Sequence, residues 1–204
     1  MTTETFTFDA ESEAAIERIL RKYPPARQAS AVLPLLDLAQ RQIARQSGGG
    51  GWLPIAAMDC VATRLAMPPI RVYEAATFYL MFNTKPVGRF HLQICTTTPC
   101  WLRGSDAVVA ACRRATNIAG WGETSADGMF TMTEVECLGA CVNAPILQVN
   151  DDFHEDMDGP ATERLLAALR RGEAVPAGSA SGRIGSAPEG GPTTLNSLPQ
   201  SAGE

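Results

Sequence analysis

The sequence predicts a chain of the α/β (α+β) class in three parts: an N-terminal helical bundle over residues 1–86, a small mixed sheet carrying helices over 87–174, and a Gly/Pro/Ser-rich extended tail over 175–204. Three observations carry that prediction. Apolar residues recur at helical spacing up to about residue 83, then at a period of two from Arg89 onward. Gly and Pro clusters punctuate the first part. After Gly172 large apolar residues become scarce, and such a stretch buries too little surface to offset its ordering entropy.

The elements follow in order. Asp9 is a candidate cap for a first helix whose stripe is Ile16, Ile19, Leu20 and Tyr23, stopped by Pro24-Pro25. Ser30 is a candidate cap for a second, with Val32, Leu36, Ala39 and Ile43 inward and Pro34 in the first turn, where a missing N–H costs little. Gly48 to Gly51 ends it. A third helix from Pro54 should bury Ile55, Met58, Ala62 and Leu65, and a fourth runs from Pro69 through Val72, Ala76 and Tyr79. Phe90, Leu92 and Ile94 then alternate with His91 and Gln93 in a strand that runs into Cys95. Ser105 is a candidate cap for a helix facing inward with Val108, Ala111, Cys112 and Ala115. A Gly-rich turn leads to a strand over 130–135 that delivers Cys137. Ile146 to Val149 and Asp152 to Glu155 read as a hairpin about Asn150-Asp151, and Pro160 opens a last helix with Leu165, Leu166 and Leu169. The order β, α, β, β, β, α resembles the thioredoxin topology, which is a statement about fold alone.

Composition bounds the function. With 204 residues, 45% of them apolar, the chain is large enough to bury a proper core, and no apolar run approaches the roughly 20 residues that span a bilayer. A net charge of −5 argues against a nucleic-acid surface. The N-terminus has early acids and no basic segment before an apolar run, so the expectation is a cytosolic bacterial protein. In that reducing compartment six cysteines point to metal or redox chemistry more than to disulfides.

Four of the six stand in two pairs: Cys95 and Cys100 bracket CTTTPC, Cys137 and Cys141 bracket CLGAC, and 36 residues separate the pairs. A 2Fe-2S cluster takes four ligands, two on each iron, so two short loops each donating two thiolates meet its needs. Cys95 and Cys100 are assigned to one iron, Cys137 and Cys141 to the other. Thr96, Thr97 and Thr98 offer donors to sulfur, and Gly139 and Ala140 let backbone N–H groups approach. Glu134, Glu136, Asp151 and Asp152 lie near in sequence, which predicts a low reduction potential. Structural zinc is the competing reading, with gaps of four and three residues where zinc knuckles usually have two. A dithiol oxidoreductase is another, weakened because no C-x-x-C is present. Cys60 and Cys112, alone inside helices, read as small hydrophobes. His91 and His154 read as sheet histidines outside the ligand set, and Gly48 to Gly51 as a linker without phosphate-binding context.

FYLMFNTKPVGRFHLQICTTTPCWLRGSD and TEVECLGACVNAPILQVNDDFHED resemble the family of the thioredoxin-like 2Fe-2S E subunit of NADH:quinone oxidoreductase, respiratory complex I. The resemblance runs through YEAATFY to the tail segment SGRIGSAPEGGPTTL. It implies one 2Fe-2S cluster on Cys95, Cys100, Cys137 and Cys141, no catalytic residue in this chain, and one-electron exchange with FMN. That flavin, with NADH, is expected in a partner flavoprotein subunit, alongside other peripheral-arm subunits. It further implies a cytoplasmic place in the peripheral arm of a complex on the bacterial inner membrane, without insertion of this chain. Similar chains serve NAD-dependent formate dehydrogenases and NAD-reducing hydrogenases, and these stay open as alternatives, as does a zinc-stabilised interaction module. Trp101 and the string GETSADG depart from the family pattern without touching a ligand position. The helices before Phe90 and the tail are the expected docking surfaces for the flavoprotein.

Overall fold

A computed structural model of the chain describes residues 5–185 and Thr194. Internal contacts divide it into two units: residues up to His91 with Gly122–Met132, and Leu92–Trp121 with the residues from Thr133 onward.

The first unit is built on four helices, α1 (Ala10–Leu20), α2 (Val32–Ser47), α3 (Ile55–Arg64) and α4 (Pro69–Phe78). Each is amphipathic and too short to persist alone in water, so packing of their apolar faces supplies the stability. Ile16, Leu35, Leu36, Ala57, Val61 and Val72 form a fully buried core. Asp9 caps α1, its carboxylate accepting from Ser12 N at 2.8 Å. Two details differ from the sequence pattern. Ser30 is no cap: Gln28–Ala31 forms a 3-10 turn that feeds α2 without a side-chain cap. Ile55 is 66% exposed, because α3 begins there and its first residue faces away from the stripe set by Met58, Val61 and Ala62.

Residues near Gly88 lead the chain into the sheet. A Cβ there would stand 2.9 Å from the backbone of Gly128, Met129 and Phe130, so glycine alone fits where Arg89 N and Phe90 N bond Gly128 O and Met129 O. Phe90 and Phe130 stack with centroids 5.6 Å apart.

The strands are β1 (Phe90–Cys95), β2 (Glu123–Thr124), β3 (Phe130–Val135), β4 (Leu147–Val149), β5 (Asp152–Glu155) and β6 (Gly178–Ser179), ordered β2-β3-β1-β4-β5-β6. Strands β1 and β4 run antiparallel with Leu92 opposite Val149, as do β4 and β5 with Leu147 opposite His154. Strand β6 lies in the segment read as tail and joins β5 in parallel, Glu155 opposite Ser179. The chain from β1 to β3 forms α5 (Thr98–Leu102) and α6 (Ser105–Thr116), and α7 (Gly159–Arg170) follows β5. Gly104, left-handed at φ +96°, is the N-cap of α6, so Ser105 is its first helical residue and not its cap. Asp158 caps α7, and Leu165, Leu166 and Leu169 are buried. Among the described residues no helix is long and apolar enough to cross a membrane.

Candidate metal centre

Both cysteine pairs sit where regular structure gives way to tight turns. Strand β1 ends on Cys95, and the chain turns at once into α5, with Thr97 as N-cap and Pro99 in its first turn. That short helix, where the sequence suggested only a loop, puts Cys100 one turn in and directs it into the core. Cys95 and Cys100 are each 1% exposed and pack with Ala144 and Ile146. The second pair follows β3. Gly139 turns the chain at φ +82°, a conformation that glycine adopts without strain, and Cys141 opens a 3-10 turn, Cys141–Asn143. Cys137 and Cys141 are exposed, their sulfurs 3.3 Å apart.

Donors surround the sulfurs. The Thr97 hydroxyl is 3.1 Å from Cys95 Sγ, and Gly139 N–H reaches Cys137 Sγ at 3.4 Å. The backbone amides of Thr97 and Leu138 help lower the Cys95 thiol, and that of Ile146 works against burial at Cys100. Leu138 and Ala140 of the second loop pack against the buried first pair. Thr96 Oγ1 donates to Glu134 Oε1 at 2.6 Å, tying the first loop to β3 as well.

The thiols feel each other. Burial, then the neighbouring Cys95, pushes Cys100 up to about 12, with the Cys141 charge adding to it. Burial also drives Cys95 up, but donation from Thr97, Cys100 and the two N–H groups outweighs it and leaves Cys95 below its ordinary value. Cys141 is raised, first by its contact with Cys137. Four thiolates so close cannot all carry charge unless cations neutralise them. Among the described residues no three His, Cys, Asp or Glu side chains converge tightly enough to hold one metal ion. Two thiol pairs whose loops pack together form a donor set whose chemistry fits a binuclear iron–sulfur cluster.

Of the four cysteines picked from spacing, the structure buries Cys95 and Cys100 in one cluster against Leu138 and Ala140 of the second loop, and sets Cys137 and Cys141 on that loop with their sulfurs 3.3 Å apart; the other two lie in helices α3 and α6. Cys112 is fully buried, its thiol pushed up to about 12 by burial, and Cys60 is half-buried and raised by the same cause. His91 and His154 are buried in strands. Burial lowers His91 to about 4, and lowers His154 despite the opposing charge of Asp152. What sequence reasoning missed is Arg183, whose guanidinium bonds Val142 O beside Cys141 at 2.8 Å. Its only signal was a lone cation in SGRIGS, indistinguishable from a solvated one.

Comparison with known proteins identifies the family. The thioredoxin-like [2Fe-2S] ferredoxin family model matches residues 16–170. The E subunit of NADH-quinone oxidoreductase from Rickettsia conorii is 56% identical over 165 residues, 81% of this chain and 95% of its own. The mitochondrial NADH dehydrogenase [ubiquinone] flavoprotein 2 of Dictyostelium discoideum is 44% identical over 190 residues, 93% of this chain and 74% of its own. A crystal structure of NAD+-reducing [NiFe]-hydrogenase in the air-oxidised state superposes with a TM-score of 0.57 over 70% of this chain and 23% of the other, at 19% identity, a likeness of fold. The chain belongs to the thioredoxin-like [2Fe-2S] ferredoxin family, together with the E subunits of NADH-quinone oxidoreductases.

Proposed function

We propose that this family member is the electron-transfer component of an NADH:quinone oxidoreductase, with one 2Fe-2S cluster held by Cys95 and Cys100 on one iron and by Cys137 and Cys141 on the other. The observation that carries the reading is the packing of Leu138 and Ala140, from the loop that bears Cys137 and Cys141, against the buried Cys95 and Cys100. When bound, the cluster supplies one-electron redox chemistry without any bond to substrate. The chain's residues set its surroundings. Ala144 and Ile146 keep water from the first pair, while the Thr97 hydroxyl at Cys95 and the Gly139 N–H at Cys137 stabilise charge on sulfur. Glu134 and Glu136 favour the oxidised state and a low potential.

The electron partner is the FMN of an NADH-binding flavoprotein subunit, within the peripheral arm on the cytoplasmic side of a membrane-attached complex. Two exposed apolar surfaces support docking. Trp101, Leu102 and Val142, exposed by 57%, 71% and 54%, flank ligand positions. In the first unit Phe78, Leu80 and Met81 are exposed at the end of α4, beside an open groove of about 580 Å³ lined by Arg71, Glu74, Thr77 and Tyr79 among others. In this reading residues 1–86 dock, 87–174 carry the cluster, and the tail over 175–204 adds to the docking surface.

The test is metal and acid-labile sulfide analysis of the purified chain with an anaerobic EPR spectrum after dithionite reduction. Equal iron and sulfide with the signal of a single unpaired electron is the expected result, whereas zinc without sulfide would sink it in favour of an interaction module. Deleting residues 1–85 should abolish co-purification with the flavoprotein, and undiminished pull-down refutes docking by the helices. The fold-level likeness to the NAD+-reducing hydrogenase keeps a diaphorase module of such an enzyme as the second reading. Neighbouring genes for quinone-reducing membrane subunits, as against a nickel–iron or molybdenum subunit, discriminate the two.

A further inference from the structure

The chain beyond α7 lies outside the residues matched by the family model, 16–170, yet its first part is bound to the loop that carries Cys141. Strand β6 pairs with β5, Ala180 N bonds Glu155 O at 2.8 Å, and Gly182, at φ +76°, turns the chain back. That turn places Arg183 against Asp156. Arg183 Nη2 donates to Asp156 Oδ1 at 2.6 Å and Nε to Oδ2 at 3.1 Å, the parallel fork that guanidinium alone can make. Asp156 is nearly buried, its side chain 8% exposed, and it also accepts from Ser179 Oγ at 2.6 Å and Ser181 Oγ at 3.2 Å. These donors hold it ionised.

The same guanidinium reaches the ligand loop. Its Nη2 donates to Val142 O at 2.8 Å. Asp156 grips the next residue from the other side, its own N–H donating to Asn143 O at 2.7 Å, and Asn143 Nδ2 donates to Glu155 Oε2 at 2.5 Å. The carbonyls of the two residues after Cys141 are therefore both fixed by one ion pair. Val142 itself faces solvent, so its side chain adds little packing to that hold.

We propose that Arg183 and Asp156 form a clasp by which the C-terminal segment positions Cys141, and that the Arg183 cation raises the reduction potential of the centre. The inference rests on the cluster reading. Arg183 is a positioning residue, acting through the Val142 peptide and through its field; a fixed positive charge stabilises the added electron.

The experiment uses the full-length, cluster-loaded chain and its variants R183A, R183K and D156N, with Arg171→Ala as control, since Arg171 pairs with exposed Glu173 nearby. Iron release to a ferrous chelator and the midpoint potential by EPR-monitored titration are measured, with thermal melts to confirm folding. R183A should release iron about tenfold faster or more, the loss of a charge-assisted contact, and its midpoint should fall. R183K keeps the charge without the fork, so its midpoint should stay near that of the parent chain while its iron release quickens. D156N should also quicken release, with R171A unchanged in both. Parental release and midpoint in R183A overturn the clasp even if the chain melts earlier, and so does an equal effect in R171A. A chain that binds no iron at all refutes the cluster reading instead.

Discussion

The two cysteine pairs sit in opposite environments. Cys95 and Cys100 are in the core, where strand β1, helix α5 and the side chains of Ala144 and Ile146 leave them almost no freedom. Cys137 and Cys141 are exposed on an irregular loop held by single hydrogen bonds: Asn143 N to Ala140 O at 3.0 Å, Asp156 N to Asn143 O at 2.7 Å, Arg183 to Val142 O. Many small dispersion contacts fix the first pair, and losing one costs little of its position. A few directional bonds fix the second, and each loss tells. The exposed pair is also the side that an alkylating reagent or a chelator reaches first.

The sharpest way to break this contrast is thiol reactivity in the iron-free chain. In a Cys60→Ala background, Cys137 and Cys141 should react with iodoacetamide on the order of 100-fold faster than Cys95 and Cys100, because buried thiols wait for local opening. Peptide mapping after short labelling reads the four rates. Equal rates would mean that the buried pair is ordered only when iron is present.

Packing gives the next largest effect. Ile146→Ala removes a side chain 1% exposed against the first pair and should destabilise the fold by about 2–4 kcal/mol in denaturant titration. Val142→Ala, beside the second pair and 54% exposed, should stay within about 0.5 kcal/mol. Similar losses at both would erase the distinction between a packed and a bonded loop.

The same contrast explains what could be read from sequence. Packed parts leave a periodic trace: the stripes of α1 and α2, most of those of α3 and α4, the run into Cys95 and the leucines of α7 are recovered because burial imposes their spacing, while Tyr79, the C-cap of α4, is 42% exposed. The two cysteine pairs stood out for another reason, since paired cysteines are rare and their gaps carry chemistry. Bonded parts leave little trace. Nothing near Gly104 announced it as the cap in place of Ser105, and nothing in SGRIGS announced that Arg183 would meet Asp156 across 27 positions. The two-residue strand β6 has no apolar face to betray it. Ile55 failed because the stripe of α3 had to be guessed from a start that helical spacing alone places only to within a residue or two.

Strand β1 makes the contrast testable by pH. It leads to the first pair with both faces largely covered, so His91 is buried and held to about 4. Its folded value is depressed, so the stability tied to its neutral form is present above the unfolded value near 6.5 and is lost as pH falls toward 4. Between pH 7 and pH 5 the unfolded chain takes up a proton that the folded chain refuses. His91→Gln should flatten the stability loss over that interval by about 2 kcal/mol, measured by denaturation at the two values. His154, lowered in the same direction, leaves a residual slope. An unchanged slope would mean that β1 opens to solvent on the acid side.

The smallest effect is electronic and separates the pairs by what donates to their sulfurs. At Cys95 the Thr97 hydroxyl, 3.1 Å away, is a donor that a side-chain substitution removes. At Cys137 the donor is Gly139 N–H, which no side-chain substitution can remove. Thr97→Val keeps the shape and deletes about 1 kcal/mol of stabilisation of negative charge on sulfur, or about 40 mV for a one-electron couple. Since the reduced centre carries more negative charge, losing a donor lowers the midpoint. A rise in potential instead would require the Thr97 hydroxyl to turn its proton away from Cys95, leaving the buried pair tuned by backbone N–H groups alone, as the exposed pair is.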